Sequence, residues 1–342
     1  MTRVTIKDVA REAGVSISTV SLVMNGKGYV SSETRTRVQE AIRKLQFVPR
    51  HAARSLPSRR TGNVGFVVRD DHFRRTEPFY TGVYLGTEFE ANNQSLYVLL
   101  STIPGAYQPG EHTPRFLKER NVDGILIAGK VPDSFMEEAM LSGLPIVLVD
   151  YEYQALPAAI IDNIGGARVA VRHLIERGHR RIAFVGADMK HPSLSARREG
   201  FQLACAEAGL TSDDVQYVEA EDEITDYETG TRLAKRLFAT QRRPTAVFCV
   251  NDATALSVND QAAALGLRVP EDLAVVGFDD VPRAKHSRPS LTTVRVQTEQ
   301  LGELALRYLV DLIEVDLSRG ARPGREPHRI IIPTELVIRN TT

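Results

Sequence analysis

The sequence predicts an α/β protein in which a helix-turn-helix head precedes a two-lobed, doubly wound α/β body. Three observations lead there. Residues 1–48 carry three short apolar stripes at helical spacing, the first two joined by Gly14-Val15-Ser16. From residue 62 onward, near-continuous apolar runs alternate with amphipathic stretches, the pattern of parallel strands covered by helices on both faces. The charge is also divided. The first 60 residues hold 12 Lys and Arg against 4 Asp and Glu, whereas the 342-residue chain holds 43 of each, so the rest is as acidic as the head is basic.

In the head, Thr5 caps a first helix with Asp8 three residues on, a variant of the capping box, and Ile6, Val9 and Ala10 form the apolar stripe. Ser16 caps a second helix that stops at Asn25-Gly26. A third starts near Ser31 or Ser32 and carries Val38, Ala41, Ile42 and Leu45 inward. Two helices joined by a short Gly-containing turn define a helix-turn-helix. Residues 49–61 form a linker in which Pro49 and Pro57 bracket a helix too short to persist alone in water.

The body, residues 62–342, shows strand-like runs at 64–68, 96–100, 124–128, 145–150, 181–186, 245–250 and 273–279, with helices between them such as Gly165–Arg177 and Ala196–Ala208. So many units exceed one sheet, which predicts two similar lobes.

Composition removes several classes of function. The charged start is no signal peptide, and no apolar run approaches the roughly 20 residues of a membrane helix, so a cytoplasmic protein without membrane partners is expected. Cys205 and Cys249 sit in apolar segments and read as buried thiols. Eight scattered histidines show no metal-ligand spacing, so no metal or other cofactor is expected. "GILIAGK" (124–130) imitates a phosphate loop, but Val131 replaces the Ser/Thr and the intervening residues read as strand. With no nucleophile elbow either, no enzymatic activity is expected.

The basic head suits a polyanion, a merely solvated basic face being the alternative. Val20 and Val23 turn inward, which leaves Ile17, Ser18, Ser21 and Leu22 outward. Exposed Ile and Leu suit thymine methyl groups in a major groove, or else an apolar protein contact. Ser16, Thr19 and Asn25, with the helix N-terminus, suit phosphates.

Residues 4–56, from "VTIKDVAREAGVSISTVSLVMNGKG" to "FVPRHAARSL", resemble the DNA-binding head of the LacI/GalR family of bacterial transcription regulators. The resemblance continues through "DNIGGARVAVRHLIERGHRRIAFVG" (162–186), "ARREGF" (196–201), "AVFCVND" (246–252) and "AVVGFDD" (274–280). It implies a regulator, a repressor by preference, that binds near-palindromic operator DNA as a homodimer. Residues 17, 18 and 22 face the bases, where many members carry Arg, Gln or Tyr. The resemblance adds Thr5, Ala53 and Leu56 to the DNA contacts, with Leu56 as a wedge in the minor groove.

For the body the resemblance implies the periplasmic-binding-protein type I fold, with a small-molecule effector, a mono- or oligosaccharide, between the lobes. The carried-over cleft residues are Phe79, Tyr80, Asp150, Asp162, Arg197, Asn251 and Asp279, whose types suit a polyol. A sugar-binding transport receptor and a purine- or nucleoside-responsive regulator are the alternatives. The chain lacks the C-terminal leucine heptads that make some relatives tetramers, which favours the dimer.

Overall fold

The computed structural model describes residues 4–24, 29–47, 60–73, 78–221, 224–319 and 328–342. The chain divides into two compact units, Met1–Gly62 and Asn63–Thr342.

The first unit contains α1 (Ile6–Ala13), α2 (Ile17–Met24) and α3 (Ser32–Lys44). Their ends form where the capping residues stand. The Asp8 carboxylate accepts from the Thr5 backbone N–H at 2.9 Å and its hydroxyl at 2.7 Å. Ser16 Oγ accepts from the Thr19 N–H at 3.1 Å, and Ser31 Oγ from the Thr34 N–H at 3.3 Å. Gly14 ends α1 in the left-handed conformation at φ 65°, which glycine adopts without a Cβ clash. Val9, Val20 and Val38, one from each helix, are fully buried and form the centre of this small core.

In the second unit, the first lobe runs β1 (Asn63–Arg69), α4 (Phe79–Asn93), β2 (Tyr97–Ile103), α5 (Arg115–Lys118), β3 (Ile125–Ala128), α6 (Asp133–Leu141), β4 (Ile146–Val149) and β5 (Ala158–Ile161). The second runs α7 (Asn163–Glu176), β6 (Ile182–Ala187), α8 (Pro192–Glu207), β7 (Val215–Ala220), α9 (Tyr227–Phe238), β8 (Ala246–Cys249), α10 (Asp252–Ala264), β9 (Ala274–Asp279), α11 (Pro282–His286) and β10 (Thr292–Arg295). The chain then returns through α12 (Thr298–Arg319) to the first lobe, adds β11 (Arg329–Ile332) to the first sheet and β12 (Glu335–Val337) to the second. It therefore crosses between lobes after β5, after β10 and after β11.

The sheet orders are β11-β5-β4-β3-β1-β2 and β12-β10-β9-β8-β6-β7, parallel throughout except where β12 pairs antiparallel with β10. Alternate residues of one strand enter different cores. Val64, Phe66 and Val68 of β1 face one apolar cluster while Val67 faces another, and Leu126 and Ile127 of β3 divide the same way. This two-sided burial explains why the central strands read as continuous apolar runs. Cys205 and Cys249 are both buried free thiols.

Close helix packing fixes the first lobe. A Cβ on Gly86 of α4 would lie 1.9 Å from the Glu299 carbonyl oxygen, and one on Gly302 of α12 would lie 2.0 Å from that of Val83. Only glycine permits so near an approach of these backbones. No described helix is long and apolar enough to cross a membrane.

Candidate functional site

Two sites emerge, one in each unit. In the head, α2 buries Val20 and Val23 and turns Ile17, 45% exposed, and Leu22, 40% exposed, outward together with Ser18. Ser21 is half-buried. Ser16 Oγ lies 2.7 Å from Ser18 Oγ and 2.8 Å from Thr19 Oγ1, so these hydroxyls form a chain at the N-terminus of α2. Thr5 is exposed at the start of α1. Tyr29, which sequence reasoning passed over, is 99% exposed ahead of α3. Asn25, Ala53, Leu56 and nearly all of the 49–61 linker lie outside the described residues.

In the body, a cavity of about 110 Å³ opens between the lobes at the carboxyl ends of the strands. That is where open α/β sheets place ligands. Backbone geometry brings carboxylates there. Asp150 after β4, Asp188 after β6 and Asp279 at the end of β9 have φ values of 54°, 51° and 110°. Aspartate tolerates left-handed backbone better than most side chains, and such strain concentrates at functional sites.

Six of the seven residues expected in the cleft line this cavity: Phe79, Tyr80, Asp150, Arg197, Asn251 and Asp279. Asp162 is the correction. It does not line the cavity, because its carboxylate caps α7 by accepting from the Gly165 N–H at 2.8 Å. Arg197 also differs from expectation. Helix α8 begins at Pro192, so Arg197 occupies its second turn rather than its start.

Asp150 ties the lobes together. Tyr80 Oη donates to one carboxylate oxygen at 3.0 Å and Ser193 Oγ, from the second lobe, to the other at 2.6 Å. Burial raises the Asp150 pKa, while the Ser193 hydrogen bond and Arg197 pull it down. Arg197, 3% exposed, donates through Nε to Asn163 Oδ1 at 2.9 Å and through Nη1 to the Val250 carbonyl at 2.8 Å. Nη1 also stands 3.0 Å from Asp279 Oδ1, and the guanidinium lies over the Phe278 ring at 3.8 Å. Nε and Nη1 are thus committed to protein oxygens, so together they do not offer a ligand a free two-pronged fork. Burial lifts Asp279 to about 6 against the opposing charge of Arg197.

Asn251 is likewise engaged at both ends. Its Oδ1 caps α10 by accepting from the Thr254 N–H at 3.0 Å, and its Nδ2 donates to the Thr225 carbonyl at 2.7 Å. It thereby holds Ile224–Asp226 against the cavity.

Sequence reasoning missed His72, which stacks on Tyr80 at 5.3 Å and 10°, and His191, just before α8. It also missed Asp71, Asp188, Leu194 and Asp226 on the lining. Their shared signal is position, since "DDH" and "DMKH" closely follow the first strand of each lobe. Lys130, of the phosphate-loop imitation, donates instead to the Lys190 carbonyl across the lobes at 3.4 Å, and the residues between Gly124 and Gly129 form β3.

A three-helix head joined to two lobes with a cavity between them, lined by aspartates and aromatic rings, defines a DNA-binding regulator with a ligand-receiving body. The family models agree: residues 5–50 match the "Bacterial regulatory proteins, lacI family" model and residues 171–342 a "Periplasmic binding protein-like domain". The transcriptional regulator CelR of Thermobifida fusca is 34% identical over 99% of this chain and 98% of its own length. The transcriptional repressor PurR of Vibrio cholerae serotype O1 (strain M66-2) is 34% identical over 91% of each. Among solved structures, a CelR–cellobiose complex superposes with a TM-score of 0.71 at 32% identity, covering 99% of this chain and all of the other. A lac repressor dimer bound to operator and the anti-inducer ONPF gives 0.81 at 23% identity, with 99% of each chain covered, and shows the shared fold. The chain belongs to the LacI family of bacterial regulatory proteins, and it is a ligand-controlled, DNA-binding transcriptional regulator.

Proposed function

We propose that the chain represses transcription by binding a near-palindromic operator as a homodimer, and that a neutral mono- or oligosaccharide between the lobes controls its operator affinity. The observation that carries the effector class is the cleft, where Phe79 and Tyr80 offer aromatic rings beside five aspartates. Carboxylates accept from sugar hydroxyls, and rings pack on the C–H face of a pyranose. The cellobiose complex of a 32% identical relative supports the same class.

For the operator, Ile17 and Leu22 meet thymine methyls, Ser18 and Ser21 lie beside them, and Thr5, Ser16, Thr19, Asn25 and the Tyr29 hydroxyl approach phosphates. Ala53 and Leu56 of the linker enter the minor groove at the operator centre. An exposed apolar face on α4 and the edge strand β2, made by Leu85, Phe89, Tyr97 and Leu100, is the surface on which a second copy docks. Isologous pairing there sets two heads for two half-sites.

The test is electrophoretic retardation of the DNA upstream of the chain's own gene, at two salt concentrations and against a saccharide panel. Salt-sensitive retardation altered by one or more neutral saccharides is expected. DNA binding indifferent to every saccharide, or no salt-sensitive binding at all, refutes the reading.

A further inference from the structure

We propose that His72 and His191 are the specificity-determining residues of the effector cleft, one imidazole from each lobe closing on the same hydroxyl of a neutral saccharide. This rests on the reading of the cleft as a saccharide site and names the groups that select within it. His72 follows β1 and His191 precedes α8, yet their ring centroids lie 6.2 Å apart at 62°, and both line the cavity. Each has a buried Nδ1 with no hydrogen-bond partner among the described residues. Of the neighbouring polar groups, Asp150 has Tyr80 and Ser193, Arg197 has Asn163 and Val250, Asn251 has Thr225 and Thr254, and Asp279 Oδ1, which has no hydrogen bond among the described residues, is ion-paired with Arg197 at 3.0 Å. A buried nitrogen without a partner is costly, and a ligand hydroxyl removes that cost.

With their ring centroids 6.2 Å apart, the imidazoles are near enough for one ligand oxygen to reach a nitrogen of each through hydrogen bonds of about 2.8 Å. A hydroxyl donates once and accepts as well, so one neutral imidazole offers its lone pair and the other its N–H. Both imidazoles stay neutral because burial, reinforced by nearby cations, lowers His72 to about 4 and His191 to about 3. After burial, Arg69 is the cation that acts on His72, and Arg197, then Lys130 and Arg69, act on His191. Gly129, at φ 71°, packs against His72 and Tyr80, since a Cβ there would lie 2.9 Å from His72 Nδ1 and 2.6 Å from Tyr80 Oη. Asp71, Asp150, Asp188, Asp226 and Asp279 on the same lining disfavour a phosphorylated sugar.

Calorimetric titration of the full chain with cellobiose, maltose, glucose and galactose, with glucose 6-phosphate and hypoxanthine as counter-ligands, tests the pair. At least one neutral saccharide should bind, and glucose 6-phosphate should not. His72→Phe and His191→Phe should each weaken that saccharide by about tenfold or more, whereas His191→Asn, whose amide reaches the Nδ1 position, should stay within about threefold. If His191→Phe does not fold, His191→Ala against His191→Asn makes the same comparison. Unchanged affinity in the Phe or Ala variants overturns the histidine pair and leaves the saccharide site standing. Equal losses in His191→Asn and His191→Phe also overturn it, by reducing the role to shape. Binding of no neutral saccharide, or tighter binding of either counter-ligand, overturns the saccharide reading together with the pair.

Discussion

Arg197 is the residue on which the cleft is assembled, since it links Asn163, Val250, Phe278 and Asp279 in one buried cluster. Arg197→Ala is predicted to abolish the effector response while operator recognition persists, and to cost about 3 kcal/mol of stability by leaving Asp279 buried without its cation. Effector titration and chemical denaturation of the same variant read both effects, and an unaltered dose response removes Arg197 from the site. His191 makes a separate prediction about pH. Its folded pKa, about 3, lies below the ordinary 6.5, so between those values the unfolded chain binds the extra proton. Its stabilising contribution is complete above pH 6.5 and is lost as the pH falls toward 3. Asp279, raised to about 6, acts in the opposite sense, with stability present below about 4 and lost as the pH rises through 6. His191→Asn should therefore lose less stability than wild type between pH 7.5 and 5, by about 2 kcal/mol in urea unfolding. Equal losses would show that the imidazole takes up its proton in the folded protein as readily as in the unfolded one.

Among the elements, α2 is the one proposed to read DNA, and the close α4–α12 packing holds the first lobe together. Replacing T·A by C·G opposite residues 17 and 22 should weaken operator binding by about 1–3 kcal/mol per pair, measured by fluorescence anisotropy. Indifference there means that Ile17 and Leu22 do not face thymines. Gly86→Ala should destabilise the body by about 1–3 kcal/mol, because its Cβ would meet the Glu299 carbonyl and the helices must separate. A denaturation midpoint equal to wild type would show that the crossing has slack. The elements legible in the sequence were those with one-sided or total burial. Strands β1, β3, β4, β6, β8 and β9 read directly from runs such as Ile125–Ala128, in which every residue is buried, and the edge strand β2 read from the apolar run 96–100. Strand β7, Val-Gln-Tyr-Val-Glu-Ala, did not, because it is an edge strand with polar residues facing out. Strands β10 to β12 are short, and β10 buries the Thr292 hydroxyl on Thr342 and the Thr293 hydroxyl on Asp252 while the Thr292 N–H donates to Thr341 Oγ1, contacts that no apolar pattern reveals. Helix α8 began earlier than its apolar pattern because Pro192 fits the first turn.

At the scale of the whole molecule, the residues that line the cleft come from strand ends and helix starts far apart in sequence, and this limits what spacing can show. Arg197 and Asp279 were legible because each lies in a family motif, and Tyr80 and Asp150 because the resemblance carries them over to the cleft. His72 and His191 were not, because only the meeting of the two lobes makes them neighbours. Asp150 and Ser193 already join those lobes, and in the proposed account a saccharide held by the two imidazoles would tighten that junction and the dimer would carry the change to the linkers. Shifting operator occupancy from 1:99 to 99:1 requires about 5.5 kcal/mol of differential affinity, which two effector sites can share. Linkage then makes the central claim directly measurable, because operator must change saccharide affinity by the factor by which saccharide changes operator affinity. Titrating the best-binding saccharide into the free chain and into the operator-bound chain, at one salt concentration, should give affinities that differ by that factor. Identical saccharide affinity in the two states would contradict the account.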